Sequence, residues 1–231
     1  MPAASRAAAT LPILQKKVVA CARCPRLVRY RRQVAREKRR MYLDWDYWGK
    51  PLPGFGDPEA ELLLVGLAPA AHGGNRTGRM FTGDRSGDFL YRALYEAGWA
   101  NQLLSRDRND GLVLRGCYIT AVVRCVPPAN KPLPEEIRKC RYWLQAELEL
   151  LPLVRAVLAL GRIAFEAYLR AVDPPLQRSK FVFSHGRSYT LPDGLPRLFC
   201  SYHPSQQNTQ TGRLTAEMMA RVLSDIRQFL S

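Results

Sequence analysis

Four short runs of nearly uninterrupted apolar residues punctuate the chain: ELLLVGL (Glu61 to Leu67), CYITAVV (Cys117 to Val123), RAVLALG (Arg155 to Gly161) and RLFCSYH (Arg197 to His203). Each is strand-length and lacks polar alternation, the pattern of a strand buried on both faces. Helical patterns lie between and after them. One runs from about Asp88 to Ala97, one begins near Pro134 with Glu135 and Glu136 in its first turn, RIAFEAYLR follows the third run directly, and the last spans about Arg213 to Phe229. Strand, loop and helix alternate four times, which predicts an α/β fold with a parallel sheet covered by helices on both faces. Residues 1–40 read as mostly helical with a break at Pro25. A loop rich in Pro, Gly and aromatics (WDYWGKPLPGFGDPEA) follows. No internal repeat or low-complexity linker interrupts this order.

In such sheets ligands sit beyond the carboxyl ends of the strands, and the polar or Gly-rich loops here follow strand runs one, two and four. The first, Ala68 to Gly87, has neither G-K-[ST] nor G-x-G-x-x-G, so no nucleotide cofactor is expected. It offers Phe81, a flat ring for stacking a base, three residues before the carboxylate of Asp84. The second, VPPANKP, is stiffened by prolines and supplies the amide of Asn130. The third, PSQQNTQTG, follows His203 and leads to Arg213, where a helix amino terminus and a guanidinium would clamp phosphate. Taken singly, each has an ordinary structural reading: Phe81 in a core, Asp84 as a helix cap, Asn130 in a turn, His203 as a structural histidine.

Charge changes the picture. Lys and Arg number 35 against 20 Asp and Glu, a formal net charge of +15 in 231 residues. Eight of the basic residues crowd between Arg26 and Arg40. Neutralising phosphates releases condensed counterions, so such a surplus favours a nucleic-acid partner over a membrane, for which the segment lacks a large apolar face. No apolar run is long enough to cross a bilayer. The opening MPAASRAAATLPIL has no extended apolar core, so a cytoplasmic protein without a secretory signal is expected.

There are six cysteines. Cys117 and Cys200 lie in strand-like runs and read as small buried hydrophobes. Cys21 and Cys24 form a C-x2-C pair followed by proline, and Cys125 and Cys140 a wider pair. Two clustered pairs in a cytoplasmic chain suggest a metal site rather than disulfides. Four thiolates suit zinc or a [4Fe–4S] cluster, and spacing alone does not separate them. Either would pin the basic amino-terminal helices to the sheet.

Together the segments GLAPAAHGGNRTGRMFTGD, VRCVPPANKP and SYHPSQQNTQTGR, in that order, resemble the motifs of the family 5 uracil-DNA glycosylases. The resemblance runs from about Cys21 to the carboxyl end. It implies one domain over residues 1–231, a three-layer α/β/α sandwich with a central four-stranded parallel sheet. The amino-terminal segment (about 1–40) would be tied to it by the cluster. It also implies a structural [4Fe–4S] cluster on Cys21, Cys24, Cys125 and Cys140. Phe81 becomes the stacking ring, with Gly66, Ala68 and Arg213 also on the substrate, and Asp84, Asn130 and His203 the polar groups around base and scissile bond. The implied reaction is monofunctional excision of uracil and other deaminated bases from single- or double-stranded DNA, by a monomer associated with the nucleoid. The related family 4 enzymes carry Glu where this chain has Leu67, and a base-reading Asn where it has Ala121. Loss of that amide implies a wider substrate range. Two rival readings stand beside this one: a non-catalytic iron–sulfur module that binds single-stranded nucleic acid, and a metal-dependent nuclease. The candidate loops offer chiefly one carboxylate, too few for the nuclease.

Overall fold

The computed structural model describes residues 3–172 and 176–231. Four parallel strands form the centre of the sheet: β2 (Leu62–Gly66), β3 (Cys117–Ala121), β4 (Ala156–Leu160) and β6 (Arg197–Ser201). Every residue of β2, β3 and β4 is buried, as continuous apolar runs require. Among the described residues the sheet has six strands rather than four, β1 (Phe55–Gly56) and β5 (Ser188–Tyr189) flanking the four in the order β1-β3-β2-β4-β6-β5. Each addition is two residues long and antiparallel to its neighbour. Two residues carry no periodicity, so neither edge was visible in the pattern, and such short edges offer little template for aggregation.

Side chains alternate across the sheet. Leu62, Leu64, Ile119 and Leu158 face the layer holding α4 (Arg85–Glu96) and α8 (Ala216–Leu230). Leu63, Val65, Tyr118 and Val157 face α5 (Pro134–Leu150) and α6 (Arg162–Ala171). The result is the α/β/α sandwich, with each fully buried Leu or Val contributing about 1.5–3 kcal/mol of transfer free energy. Cys117 and Cys200 are buried on opposite faces, as expected of thiols used as hydrophobes. The amino-terminal helices α1 (Ala3–Val19) and α2 (Pro25–Glu37) lie on the α5 side, with Leu11 and Leu27 in that core. Pro25 stands in the first turn of α2, where its missing N–H costs nothing.

Two helix boundaries differ from the sequence expectation for one reason, side-chain capping. Helix α4 begins at Arg85, not Asp88, because Asp84 is its cap and its Oδ1 accepts the Gly87 N–H at 3.0 Å. Helix α8 begins at Ala216, not Arg213, because Thr215 caps it through the Met218 N–H. The polar loop after His203 holds the short α7 (Gln206–Gln210), and the first Gly-rich loop holds one turn, α3 (Gly74–Thr77). Along the chain the central strands run β2, β3, β4, β6, whereas in space β2 sits between β3 and β4. The connections leaving β2 and β3 therefore run in opposite directions, and a crevice opens at the carboxyl ends of the strands on either side of that reversal.

Candidate active site

That crevice is a cleft of about 630 Å³, within the range of ligand pockets. Its walls include Gly66, Leu67 and Ala68 from the end of β2, Ala121 from the end of β3, Asn130 and Lys131 from the following loop, and His203 after β6. Phe81 and Asp84 come from the Gly-rich loop. Six residues expected at the site thus share one cavity: Gly66, Ala68, Phe81, Asp84, Asn130 and His203. Arg213 does not. It stands in the turn ahead of α8, exposed, with its guanidinium 4.7 Å over the Tyr202 ring. There it lines a neighbouring pocket of about 330 Å³ that also borders His203, Gly161 and Arg162. Arg213 stands two residues before Thr215, the cap of α8, and its guanidinium turns to Tyr202 rather than into the cleft. Residues the sequence reading left aside also line the cleft, among them Ser86, Lys131, Ser205, Gln206 and Gln207. Their only sequence signal was position inside the three loops.

The Gly-rich loop is shaped by what touches it. Phe81 has φ +51, an uncommon conformation for an aromatic residue, and its ring lies against Gly66. A Cβ on Gly66 would come within 2.8 Å of the Phe81 ring carbons, so glycine there lets the ring lie across the strand end. The Phe81 and His203 ring centroids are 5.8 Å apart with planes inclined by 31°. Gly73 is bare for a similar reason: a Cβ there would stand 2.0 Å from Asp84 Oδ2. Arg76 braces this loop from behind. Its Nε donates to the His72 carbonyl at 2.7 Å and its Nη2 to the Gly83 carbonyl at 3.0 Å. Its guanidinium is held between Tyr42 (3.9 Å) and Trp45 (4.0 Å).

Burial pushes the Asp84 carboxyl above the usual carboxylate range, opposed by the N–H groups of Gly87 and Ser86 and by the Arg76 charge. Burial lowers the His203 imidazole to about 4, so it is neutral at physiological pH. The site therefore holds a neutral imidazole, a desolvated carboxyl group and an amide around an aromatic ring. Asn130 closes a 3-10 turn in which both it (φ +56) and Ala129 (φ +52) are left-handed.

Cys21, Cys24, Cys125 and Cys140 line a single small cavity between the α1–α2 connection, the end of β3 and α5. Among the described residues, no group of three or more His, Cys, Asp or Glu side chains is placed to hold a metal ion. Burial raises the Cys24 thiol, and raises Cys125 to about 12 and Cys140 to about 11, with the neighbouring cysteines adding to each shift. The Arg124 N–H donates to Cys140 Sγ at 3.4 Å. Of the basic run on α2, Arg31 is buried and donates to the Gly49 and Cys21 carbonyls, while Arg29, Arg32 and Arg36 face solvent.

A doubly covered sheet brings an acid, an amide and an imidazole from the loops after β2, β3 and β6 beside an aromatic ring, in a cleft with room for a flat heterocycle. The chain belongs to the uracil-DNA glycosylase superfamily, whose family model, described as "Uracil DNA glycosylase superfamily", matches residues 53–227. Within it, the chain falls in the type-5 branch. It is 54% identical to a type-5 uracil-DNA glycosylase of Thermus thermophilus over 91% of this chain and 94% of that protein. It is 49% identical to one of Mycobacterium leprae over 97% of both chains, and 48% identical to one of Pyrobaculum aerophilum over 90% of this chain and 88% of the other. Among the described residues no helix is long and apolar enough to cross a membrane.

Proposed function

We propose that this protein is a monofunctional DNA glycosylase that hydrolyses the N-glycosidic bond of uracil and other deaminated bases flipped out of DNA. The observation that carries this reading is the convergence of Phe81, Asp84, Asn130 and His203 on one cleft at the strand ends. A module that only binds nucleic acid needs no desolvated carboxyl group beside a neutral imidazole. The surplus of +15 supplies attraction for phosphates. The everted base stacks on Phe81. As the glycosidic bond breaks, its electron pair leaves with the base. The neutral His203 imidazole donates an N–H to a base carbonyl and stabilises that anion where charge develops. Asp84, ionised, faces the cationic sugar and orients the water that captures it, and Asn130 helps hold that water or the base. The water's oxygen bonds to the sugar carbon and one of its protons is released, leaving an abasic site.

The presence of Ala121 rather than an amide at the end of β3 supports a range wider than uracil. Buried donors and acceptors enforce base identity only where they exist. We assign Cys21, Cys24, Cys125 and Cys140 to a [4Fe–4S] cluster. The four cysteines line one cavity, and burial with mutual repulsion raises the Cys24, Cys125 and Cys140 thiols, so a cationic iron centre bound there would be what holds them as thiolates. When bound, the cluster supplies a cross-link between α2, the β3 end and α5, remote from the bond that breaks.

The test is incubation with a uracil-containing duplex in excess EDTA, followed by alkali. Free uracil with strand breaks only after alkali is expected. Direct nicking that EDTA abolishes, or binding without base release, would overturn the reading.

A further inference from the structure

Arg26 has no role in the chemistry above, yet it makes the most specific side-chain contact between the amino-terminal helices and the loop that carries Asn130. Its Nε donates to Glu136 Oε1 at 2.9 Å and its Nη2 to Oε2 at 2.8 Å, a fork-on-fork pair. The same Nη2 donates to the Lys131 carbonyl at 3.2 Å. Glu136 is 3% exposed and also accepts the Leu133 N–H at 2.7 Å. Burial alone would raise its carboxyl, but the Arg26 guanidinium and the Leu133 N–H outweigh that and hold it below the ordinary range. Both backbone groups pinned by this pair, the Lys131 carbonyl and the Leu133 N–H, belong to the exit of the catalytic loop.

What is pinned is strained. Ala129 and Asn130 are consecutive left-handed residues, and neither is glycine. For alanine that conformation costs on the order of 1 kcal/mol, and it persists only where the surroundings over-determine it. The upstream hydrogen bonds, Asn130 N–H to Pro127 and Lys131 N–H to Pro128, are local and would survive a swing of the whole turn. The long-range restraint is Arg26 with Glu136, residues 110 apart in sequence.

We propose that the Arg26–Glu136 pair is a positioning clamp that holds the strained Ala129–Asn130 turn so that Asn130 faces the cleft. Arg26 is two residues beyond Cys24, and Glu136 is one helical turn before Cys140 on α5. The clamp therefore ties the catalytic loop to α2, which begins just after Cys24, and to α5, which carries Cys140. Arg26 and Glu136 act through Asn130 and touch no reacting atom. The inference rests on the proposed role of Asn130 in base excision.

The experiment measures single-turnover excision from a uracil duplex, DNA affinity and melting temperature for five variants. Arg26→Met/Glu136→Gln removes the clamp without leaving a buried carboxylate uncompensated. Its single-turnover rate is expected to fall roughly 10- to 100-fold, the scale of a displacement near 1 Å at a reacting centre. DNA affinity should stay within about twofold, which separates positioning from phosphate attraction. Arg26→Lys keeps the charge but loses the fork and should also be slow. Adding Ala129→Gly to the clampless variant should raise its rate several-fold, a larger gain than the same substitution makes in the parent, because glycine adopts the turn without penalty. A purely structural clamp would lower the melting temperature but gain nothing from that glycine. An unchanged rate without the clamp, or a loss that Ala129→Gly does not relieve, overturns the clamp. Asn130→Ala distinguishes the two levels: if it leaves the rate intact, the role of Asn130 falls and the clamp's purpose with it. If it slows excision while the clampless variant does not, only the clamp falls.

Discussion

The Phe81 ring lies 5.8 Å from the His203 ring and closes over Gly66, whose missing side chain leaves room for it. Residues contributed by two loops, more than a hundred positions apart, thus make one wall of the cleft. A methyl group at Gly66 would meet Phe81 at 2.8 Å on a strand whose backbone is paired on both sides. Gly66→Ala should therefore cost about 1–3 kcal/mol of overpacking. The ring should be displaced, weakening capture of the flipped base. Tight binding of an abasic duplex alongside slow excision of uracil would bear this out; normal excision would remove Phe81 from the site.

Asp84 has two structural duties, capping α4 and facing the cleft, and its carboxyl is raised by burial. If its ionised form stabilises the cationic sugar, the excision rate falls as pH drops through a value above the ordinary carboxylate range. Asp84→Asn keeps cap geometry, should lower the rate about 10²–10³-fold, and should abolish that acid limb. A pH–rate profile identical in shape for both proteins would remove the assignment.

His203 titrates near 4 in the folded protein against 6.5 for an ordinary imidazole. A native pKa below the unfolded one means that the unfolded chain binds the extra proton first. The stability from burying neutral His203 is present above about 6.5 and is lost as pH falls toward 4. Denaturant midpoints measured between pH 7 and 4 should fall more steeply for the parent than for His203→Asn. Excision by that variant should drop about 10²–10³-fold with DNA affinity retained.

Restoring a base-reading amide at the end of β3 should narrow the range. Ala121 is 2% exposed and lines the cleft. Ala121→Asn is expected to retain uracil excision while losing hypoxanthine and xanthine, because an unpaired buried amide penalises the wrong edge. Equal losses on all bases would mean simple crowding.

Replacing one thiol tests the cysteine assignment independently of catalysis. Cys24→Ser should lose the brown colour and most of the iron of the purified protein and lower its melting temperature. Colourless parent protein containing zinc alone would overturn the iron–sulfur assignment.

The sequence by itself determined the central layer and which aromatic and polar residues sit on its loops. Continuous apolar runs have one stable destination, a sheet covered on both faces, and the types Phe81, Asp84, Asn130 and His203 were readable from their places after those runs. Only the tertiary structure decided which loop residues meet. It brought Lys131 and Gln206 into the cleft and placed Arg213 outside it, over the Tyr202 ring. It also added β1 and β5, too short to leave a periodic trace, and gathered the four cysteines on one cavity. The Arg26–Glu136 pair belongs to the same class: periodicity reports which face of an element is apolar, whereas a contact across 110 residues exists only once the layers have packed.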